Sequence, residues 1–175
     1  MSADPNGEQH EGFGLSEQTI AGGERLSTAA AYLGSDVRRR PNLTILADTL
    51  VERVLLQGRR ATGIRTRRSD RTRDFSARCE VILAAGAVGS PQILMLSGIG
   101  PAAELARHGI AVQHDLPGVG QNLQDHVSFG CIWEYREPVA PRNSGSEATL
   151  YWKSDSALTS PDLLFPGHAL MVQGE

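Results

Sequence analysis

The sequence predicts an α/β fold with α+β elements, in which an antiparallel β-meander leads into a central parallel strand and two short helices. Apolar and β-branched residues alternate with polar ones between Leu43 and Ser76, a period typical of half-buried strands. An unbroken apolar run follows at Cys79–Gly86, as in strands buried on both faces. Proline and glycine then bracket short helical segments. A chain of 175 residues has room for one domain or parts of two.

The meander is predicted from strand-like runs that are joined by short polar links. The runs are Leu43–Leu46, Leu50–Leu56, Ala61–Thr66 and the return strand Arg73–Ser76. A parallel pair needs a crossover of about a dozen residues or more, so these short links imply antiparallel pairing. The meander is therefore expected over residues 43–76.

The apolar run predicts a parallel strand over Val81–Ala85, which ends in the small residues Ala84, Ala85 and Gly86. Ligands of open α/β sheets lie outside the carboxyl ends of the strands, where small residues let a cofactor approach the backbone. The alternative is that Gly86 only begins a turn. The residues alone leave both interpretations open.

Three short helices are predicted from their capping residues. They cover Ala29–Leu33, Gln92–Leu96 and Ala102–His108. Ser27-Thr28 and Ser90 supply side-chain oxygens for helix amino termini, and Pro91 and Pro101 suit the first helical position. Gly98 and Gly109 follow the second and third segments, as is common at helix ends.

The remaining segments are assigned from local composition. The glycine-rich, polar stretch Glu8–Gly23 is predicted to be a loop, and strands are predicted at Ile110–Val112, Phe129–Tyr135 and Thr149–Lys153. The string Gly98–Ala103 matches G-x-G-x-x-A, but it follows a helical segment rather than a strand. It is interpreted as a tight connection between two helices and not as a phosphate-binding loop.

Composition and charge exclude several classes of function. Seventeen basic and 20 acidic side chains give a formal net charge of −3, which offers no attraction for nucleic acid. No apolar run reaches the roughly 20 residues of a membrane-spanning helix, and no signal peptide is recognisable, so a cytoplasmic location is expected. Cys79 and Cys131 and the five histidines lack metal-ligand spacing, so neither a disulfide nor a metal site is expected.

The string Gly86–Gly100, with four others along the chain, resembles the glucose-methanol-choline (GMC) oxidoreductases, and most closely their choline-dehydrogenase-like branch. Gly86–Gly100 fits the second signature of that family at every constrained position. Further family-like strings follow one another in the expected order at Arg25–Leu33, Arg40–Leu43, Asp115–Gly120 and Asn122–His126. The resemblance covers nearly the whole chain.

The resemblance implies a partial FAD/NAD(P)-binding Rossmann-like fold and the start of a GMC substrate-binding domain. Residues 1–35 would lead into the FAD-binding domain, residues 36–126 would form part of it, and residues 127–175 would begin the substrate-domain sheet. The implied cofactor is FAD. Val51 falls where the family places a valine whose backbone binds the adenine, and Ala84, Ala85 and Gly86 would lie beside the cofactor. Asp125-His126 matches a segment near the cofactor, although a surface pair explains it equally well.

Two family features are missing from this sequence, which is therefore interpreted as an internal fragment. It has no strand followed by G-x-G-x-x-G for the pyrophosphate, and His168 does not match the family's catalytic histidine, so no catalytic residue is assigned. The implied parent enzyme oxidises a small-molecule alcohol by hydride transfer to FAD, and the chain alone is expected to be inactive. Self-association or a complementary chain is expected to cover its apolar sheet. The alternative is a non-catalytic remnant or interaction module that retains the scaffold.

Overall fold

The protein has a mixed α/β structure with mainly antiparallel sheets. The structure, a computed structural model, describes residue 4, residues 6–128, residue 130, residues 136–137 and residues 146–168. The strands of the described part are β1 (Gly12–Leu15), β2 (Ile20–Ala21), β3 (Glu24–Arg25), β4 (Leu50–Gln57), β5 (Arg60–Arg68), β6 (Arg71–Ser76), β7 (Ile99–Gly100), β8 (His114–Asp115), β9 (Ser146–Trp152) and β10 (Leu163–His168). Its helices are α1 (Thr28–Tyr32), α2 (Ser35–Arg38), α3 (Gly86–Leu96) and α4 (Ala102–Arg107).

The chain divides into two compact units. One unit combines Met1–Arg40 with Gly130–Glu175, and the other is the continuous segment Pro41–Phe129. The discontinuous unit contains the sheet β1-β9-β10, and the continuous unit contains the meander, α3 and α4.

The meander is the largest sheet of the continuous unit, with strand order β4-β5-β6 and antiparallel pairing throughout. Two-residue turns join its strands, and each turn contains a residue with positive φ, Gly58 at 57° and Ser69 at 50°. The predicted meander is thus confirmed from Leu50 to Ser76. The strand predicted at Leu43–Leu46 is wrong, because Asp48 turns the chain with a φ of 52° and none of the described strands pairs with that segment.

Charged and apolar residues alternate along β5 and so lie on opposite faces of the meander. On the charged face the Arg65 guanidinium donates to both carboxylate oxygens of Asp74, at 2.8 Å each, and this hydrogen bond lowers the pKa of Asp74. Thr66 lies on the other face and is buried, where its hydroxyl donates to the Arg73 carbonyl oxygen at 2.9 Å. Only the face that includes Ile64 and Thr66 is therefore available for an apolar core.

The parallel strand predicted at Val81–Ala85 is wrong. These residues form neither strand nor helix, and within the described residues no backbone hydrogen bond pairs Val81–Ala84 with another segment. An apolar run becomes a β-strand only when a neighbouring strand accepts its hydrogen bonds, and the described part of the chain supplies none. The parallel pairing found in the described part is instead between the short strands β7 and β8.

Helix α3 begins five residues before Pro91, which was predicted to be its first residue. Gly86, with a φ of 81°, is its first residue, and Pro91 lies inside it rather than at its start. Ser90 does not cap a helix beginning at Pro91, because its hydroxyl accepts a hydrogen bond from the Ala85 amide at 3.0 Å, upstream of α3. The predicted end is confirmed, since α3 stops before Gly98, whose φ is 83°.

The connection between α3 and α4 is tight, as predicted. Its glycines allow neighbouring atoms to approach more closely than a side chain would permit. A side chain at Gly98 would place its Cβ 2.4 Å from the Ala111 carbonyl oxygen. The first amide of α4, at Ala102, donates to the Asp115 carboxylate at 2.9 Å. Helix α4 starts after Pro101 as expected. The strand predicted at Ile110–Val112 is wrong, because strand β8 forms farther along, next to β7.

In the discontinuous unit two predicted elements are confirmed, α1 and β9, whereas β1, β2, β3, α2 and β10 were not predicted. Helix α1 is capped by Ser27, whose hydroxyl accepts from the Ala30 amide at 3.1 Å, and β9 corresponds to the strand predicted at Thr149–Lys153. The loop predicted at Glu8–Gly23 is wrong, because β1 pairs with β9. The strand predicted at Phe129–Tyr135 lies outside the described residues except for Gly130.

Candidate functional site

A cavity of about 470 Å³ lies in the continuous unit, between the meander and the segment that enters α3. Its volume is within the range of small-molecule sites, roughly 300–1,000 Å³. It is lined by Val51, Gly63, Ile64, Phe75, Ser76, Ala77, Glu80, Val81, Ile82, Leu83, Ala84, Ala85 and Ile93. Most of these side chains are apolar, so the cavity suits a flat, largely apolar group.

Three of the four residues predicted to bind a cofactor line this cavity together. Val51 enters it from β4, and Ala84 and Ala85 enter it from the segment before α3. The fourth, Gly86, is the first residue of α3 and directly follows that segment. The structure therefore brings residues from two distant parts of the chain to one place.

The register of the meander explains how Val51 reaches the cavity. Val51 pairs with Thr66 of β5. Ile64, two residues before Thr66, pairs with Phe75 of β6. Residues two positions apart on a strand point to the same face, so β5 and β6 present Ile64 and Phe75 on the side where Val51 lies. Arg73 lies over the Phe75 ring, with its guanidinium carbon 4.6 Å from the ring centroid, and so holds that wall of the cavity.

The part of the cavity lining that leads into α3 consists of the small residues Ala84 and Ala85. An ideal Cβ built on Gly86 would have no heavy atom within 4 Å, so the space beside this backbone is open. The amides of the first turn of an α-helix have no intrahelical partner and favour negative charge. The open backbone at Gly86 therefore directly follows the lining residues Ala84 and Ala85 in the chain.

Several lining residues were not predicted from the sequence, among them Ile64, Phe75, Ile93 and Glu80. Glu80 is the one ionisable side chain in the lining. The alternation of β5 and β6 defines a face but not its partner, so Ile64 and Phe75 become identifiable only once the strand register is known. Ile93 carries no local signal that distinguishes it from its apolar neighbours in α3.

Other predicted features do not contribute to the cavity. Asp125 accepts a hydrogen bond from the amide of the next residue, His126, at 2.8 Å, and both residues are exposed. Cys79 is exposed and unpaired. Among the described residues no group of three His, Cys, Asp or Glu side chains is arranged to hold a metal ion, and no helix there is long and apolar enough to cross a membrane.

Fold and cavity together define a mixed α/β protein with a largely apolar cavity beside a β-meander. The sequence profile described as GMC oxidoreductase matches residues 1–128, and the chain belongs to this family. The chain is 47% identical over 139 residues to the oxygen-dependent choline dehydrogenase of Brucella anthropi, a match that covers 79% of this chain and 25% of that protein. It is 44% identical over 154 residues to the enzyme of the same name from Brucella canis, covering 88% of this chain and 27% of that one.

Solved structures agree with the family assignment. The crystal structure of pyridoxine 4-oxidase from Mesorbium loti matches with a TM-score of 0.84 and 34% identity, over 91% of this chain and 32% of that chain. The chain spans about a quarter of the length of the curated relatives that it matches. FAD is the cofactor of this oxidoreductase family, and the likeness to choline dehydrogenases agrees with the resemblance inferred from the sequence.

Proposed function

We propose that this chain forms the adenosine-binding part of the FAD site in an enzyme that oxidises the CH–OH group of a small alcohol. The observation that carries the proposal is the convergence of Val51, Ala84 and Ala85 on one cavity, with Gly86 beside it at the start of α3. In this proposal residues 36–126 belong to the FAD-binding domain, residues 127–175 begin the substrate-binding domain, and residues 1–35 lead into the former.

The residues present fit the adenosine half of FAD. The cavity has mostly apolar walls suited to a planar ring, and the open space beside Gly86 admits a ligand close to the backbone. Strand β4 is an edge strand of the described sheet, so its outer edge offers backbone groups that β5 does not use. We assign the hydrogen bonds to the adenine edge to the backbone of Val51.

The roles of the remaining residues follow from their positions. Ile64, Phe75 and Ile93 keep water away from the ring and so favour burial of its apolar faces. The first turn of α3 favours negative charge near Gly86. Bound FAD supplies the hydride acceptor for alcohol oxidation, and we place the group that takes the alcohol proton outside this chain.

Titration with three nucleotides tests the proposal. We expect added FAD and ADP to bind the chain weakly and with similar affinity, since both contain adenosine, and FMN, a flavin without adenosine, not to bind. Isothermal calorimetry measures all three affinities under the same conditions, and quenching of flavin fluorescence checks those of FAD and FMN. FMN binding as tightly as FAD would contradict the assignment to adenosine. Failure of both FAD and ADP would favour a non-catalytic interaction module that retains the scaffold.

A further inference from the structure

Ser97, the residue that follows α3, is one of the buried polar residues of the described structure, with 7% of its surface exposed. Its hydroxyl donates to the Ile93 carbonyl oxygen at 2.6 Å and accepts from the Val54 amide at 2.8 Å. Val54 is also buried, at 6% exposed. The hydroxyl therefore joins the last turn of α3 to the middle of β4.

The two elements that Ser97 joins are two walls of the cavity. Ile93 lines the cavity from α3, and Val51 lines it from β4, three residues before Val54. The distance between these walls depends on how closely α3 approaches the edge of β4. A hydroxyl bonded to both elements fixes that approach, because one oxygen is within hydrogen-bonding distance of each.

The chain immediately after Ser97 is held as well. The Gly98 carbonyl oxygen accepts from the amides of Gln113, at 2.8 Å, and His114, at 3.1 Å. The Gly98 backbone also lies so close to the Ala111 carbonyl that no side chain fits there. The anchored Gly98 fixes the chain at the end of α3, and the Ser97 hydroxyl bonds that end directly to β4.

We propose that Ser97 is a positioning residue that sets the width of the cavity and thereby the affinity for the adenosine part of the cofactor. This inference rests on the function proposed above. Ser97 does not line the cavity, and it acts through Ile93 and Val51.

The test compares Ser97→Ala with a variant that is destabilised elsewhere. Leu105→Val removes one methylene from a buried side chain of α4 that does not line the cavity, and so serves as the control for loss of stability. We expect Ser97→Ala to weaken ADP binding by roughly tenfold, because it leaves the Val54 amide without its partner and frees α3 from β4. Leu105→Val should leave ADP affinity unchanged at temperatures where both variants are folded. Equal affinities of the two variants would overturn the inference.

A second readout does not require nucleotide. Nuclear Overhauser effects between the methyl groups of Val51 and Ile93, together with hydrogen exchange of the Val54 amide, report the spacing of the walls directly. We expect weaker methyl contacts and faster exchange in Ser97→Ala, and intermediate values in Ser97→Cys, whose thiol has similar size but bonds weakly. If the unaltered chain bound no ADP, the proposed function would fail. Unchanged methyl contacts in Ser97→Ala would instead refute the role of Ser97.

Discussion

Gly86 has a backbone conformation that residues with a side chain rarely adopt, and the space beside it is open. Its φ is 81°, in the left-handed region, and nothing lies within 4 Å of the position where a Cβ would be. Packing within the chain therefore does not explain a glycine at this position. The positive φ of the turn into α3 explains it, and the cofactor site proposed above would give a second reason.

We predict that Gly86→Val weakens FAD binding by about tenfold or more, because the side chain would occupy the space that the cofactor needs and strain the entry to α3. The affinity is measured by titration with FAD. Gly58→Val is the matched control, since Gly58 also has a positive φ, at 57°, with open space around it, but lies in the turn between β4 and β5. Unaltered FAD affinity in Gly86→Val would count against the assignment of this residue.

At the scale of elements, the meander depends on a close approach between β5 and β6 at Gly63. A Cβ on Gly63 would lie 2.1 Å from the Phe75 carbonyl oxygen, a distance that only movement of the strands can relieve. We predict that Gly63→Ala lowers the free energy of unfolding by roughly 1–3 kcal/mol, the usual cost of overpacking. Urea denaturation measures the change.

Gly34→Ala is the control for this substitution. Gly34 has a φ of −59°, which alanine adopts readily, and no heavy atom lies near its Cβ position. We expect its stability to change little. A Gly63→Ala variant as stable as Gly34→Ala would mean that the two strands separate without cost.

The sequence predicted those elements whose determinants are local. The cap at Ser27, the start of α4 after Pro101 and the turns of the meander depend on neighbouring residues, and each was confirmed. The strand predicted at Val81–Ala85 and the missed strand β1 depend on distant partners, which alternation and composition do not reveal. The same holds for the cavity lining. Val51 was proposed from a sequence string that resembles the family, whereas Ile64 and Phe75 became identifiable only from the pairing register of the strands.

At the scale of the whole molecule, the cavity is the part of the proposed cofactor site that the described residues form. The sequence has no G-x-G-x-x-G turn after a strand to bind the pyrophosphate, and no catalytic residue is assigned in it. Several large apolar side chains are exposed, including Ile82 at 76% and Val88 at 71%. Exposed apolar surface of this kind favours association with another chain.

We predict that the purified chain is catalytically inert, does not retain stoichiometric FAD and self-associates. A general base typically contributes about 10²–10⁴-fold in rate, and the aligned amides of a pyrophosphate loop would be missing. The visible flavin spectrum, its bleaching by choline or simple primary alcohols, and size-exclusion chromatography test these points together. A yellow, monomeric protein that an alcohol reduces would show that the chemistry requires fewer segments than we infer.

The pairing of β1 with β9 has a consequence for the order in which the chain folds. Gly12 pairs with Tyr151, so this sheet cannot form on the ribosome until Tyr151 has been synthesised. Neighbouring strands of the meander are joined by two-residue turns, whose closure costs little entropy. The meander can therefore form while synthesis continues. We therefore expect Pro41–Phe129 to fold first and β1 to pair with β9 later. During that interval the backbone groups of Gly12–Leu15 lack the strand that pairs with them in the folded chain and are open to chaperones and to other nascent chains.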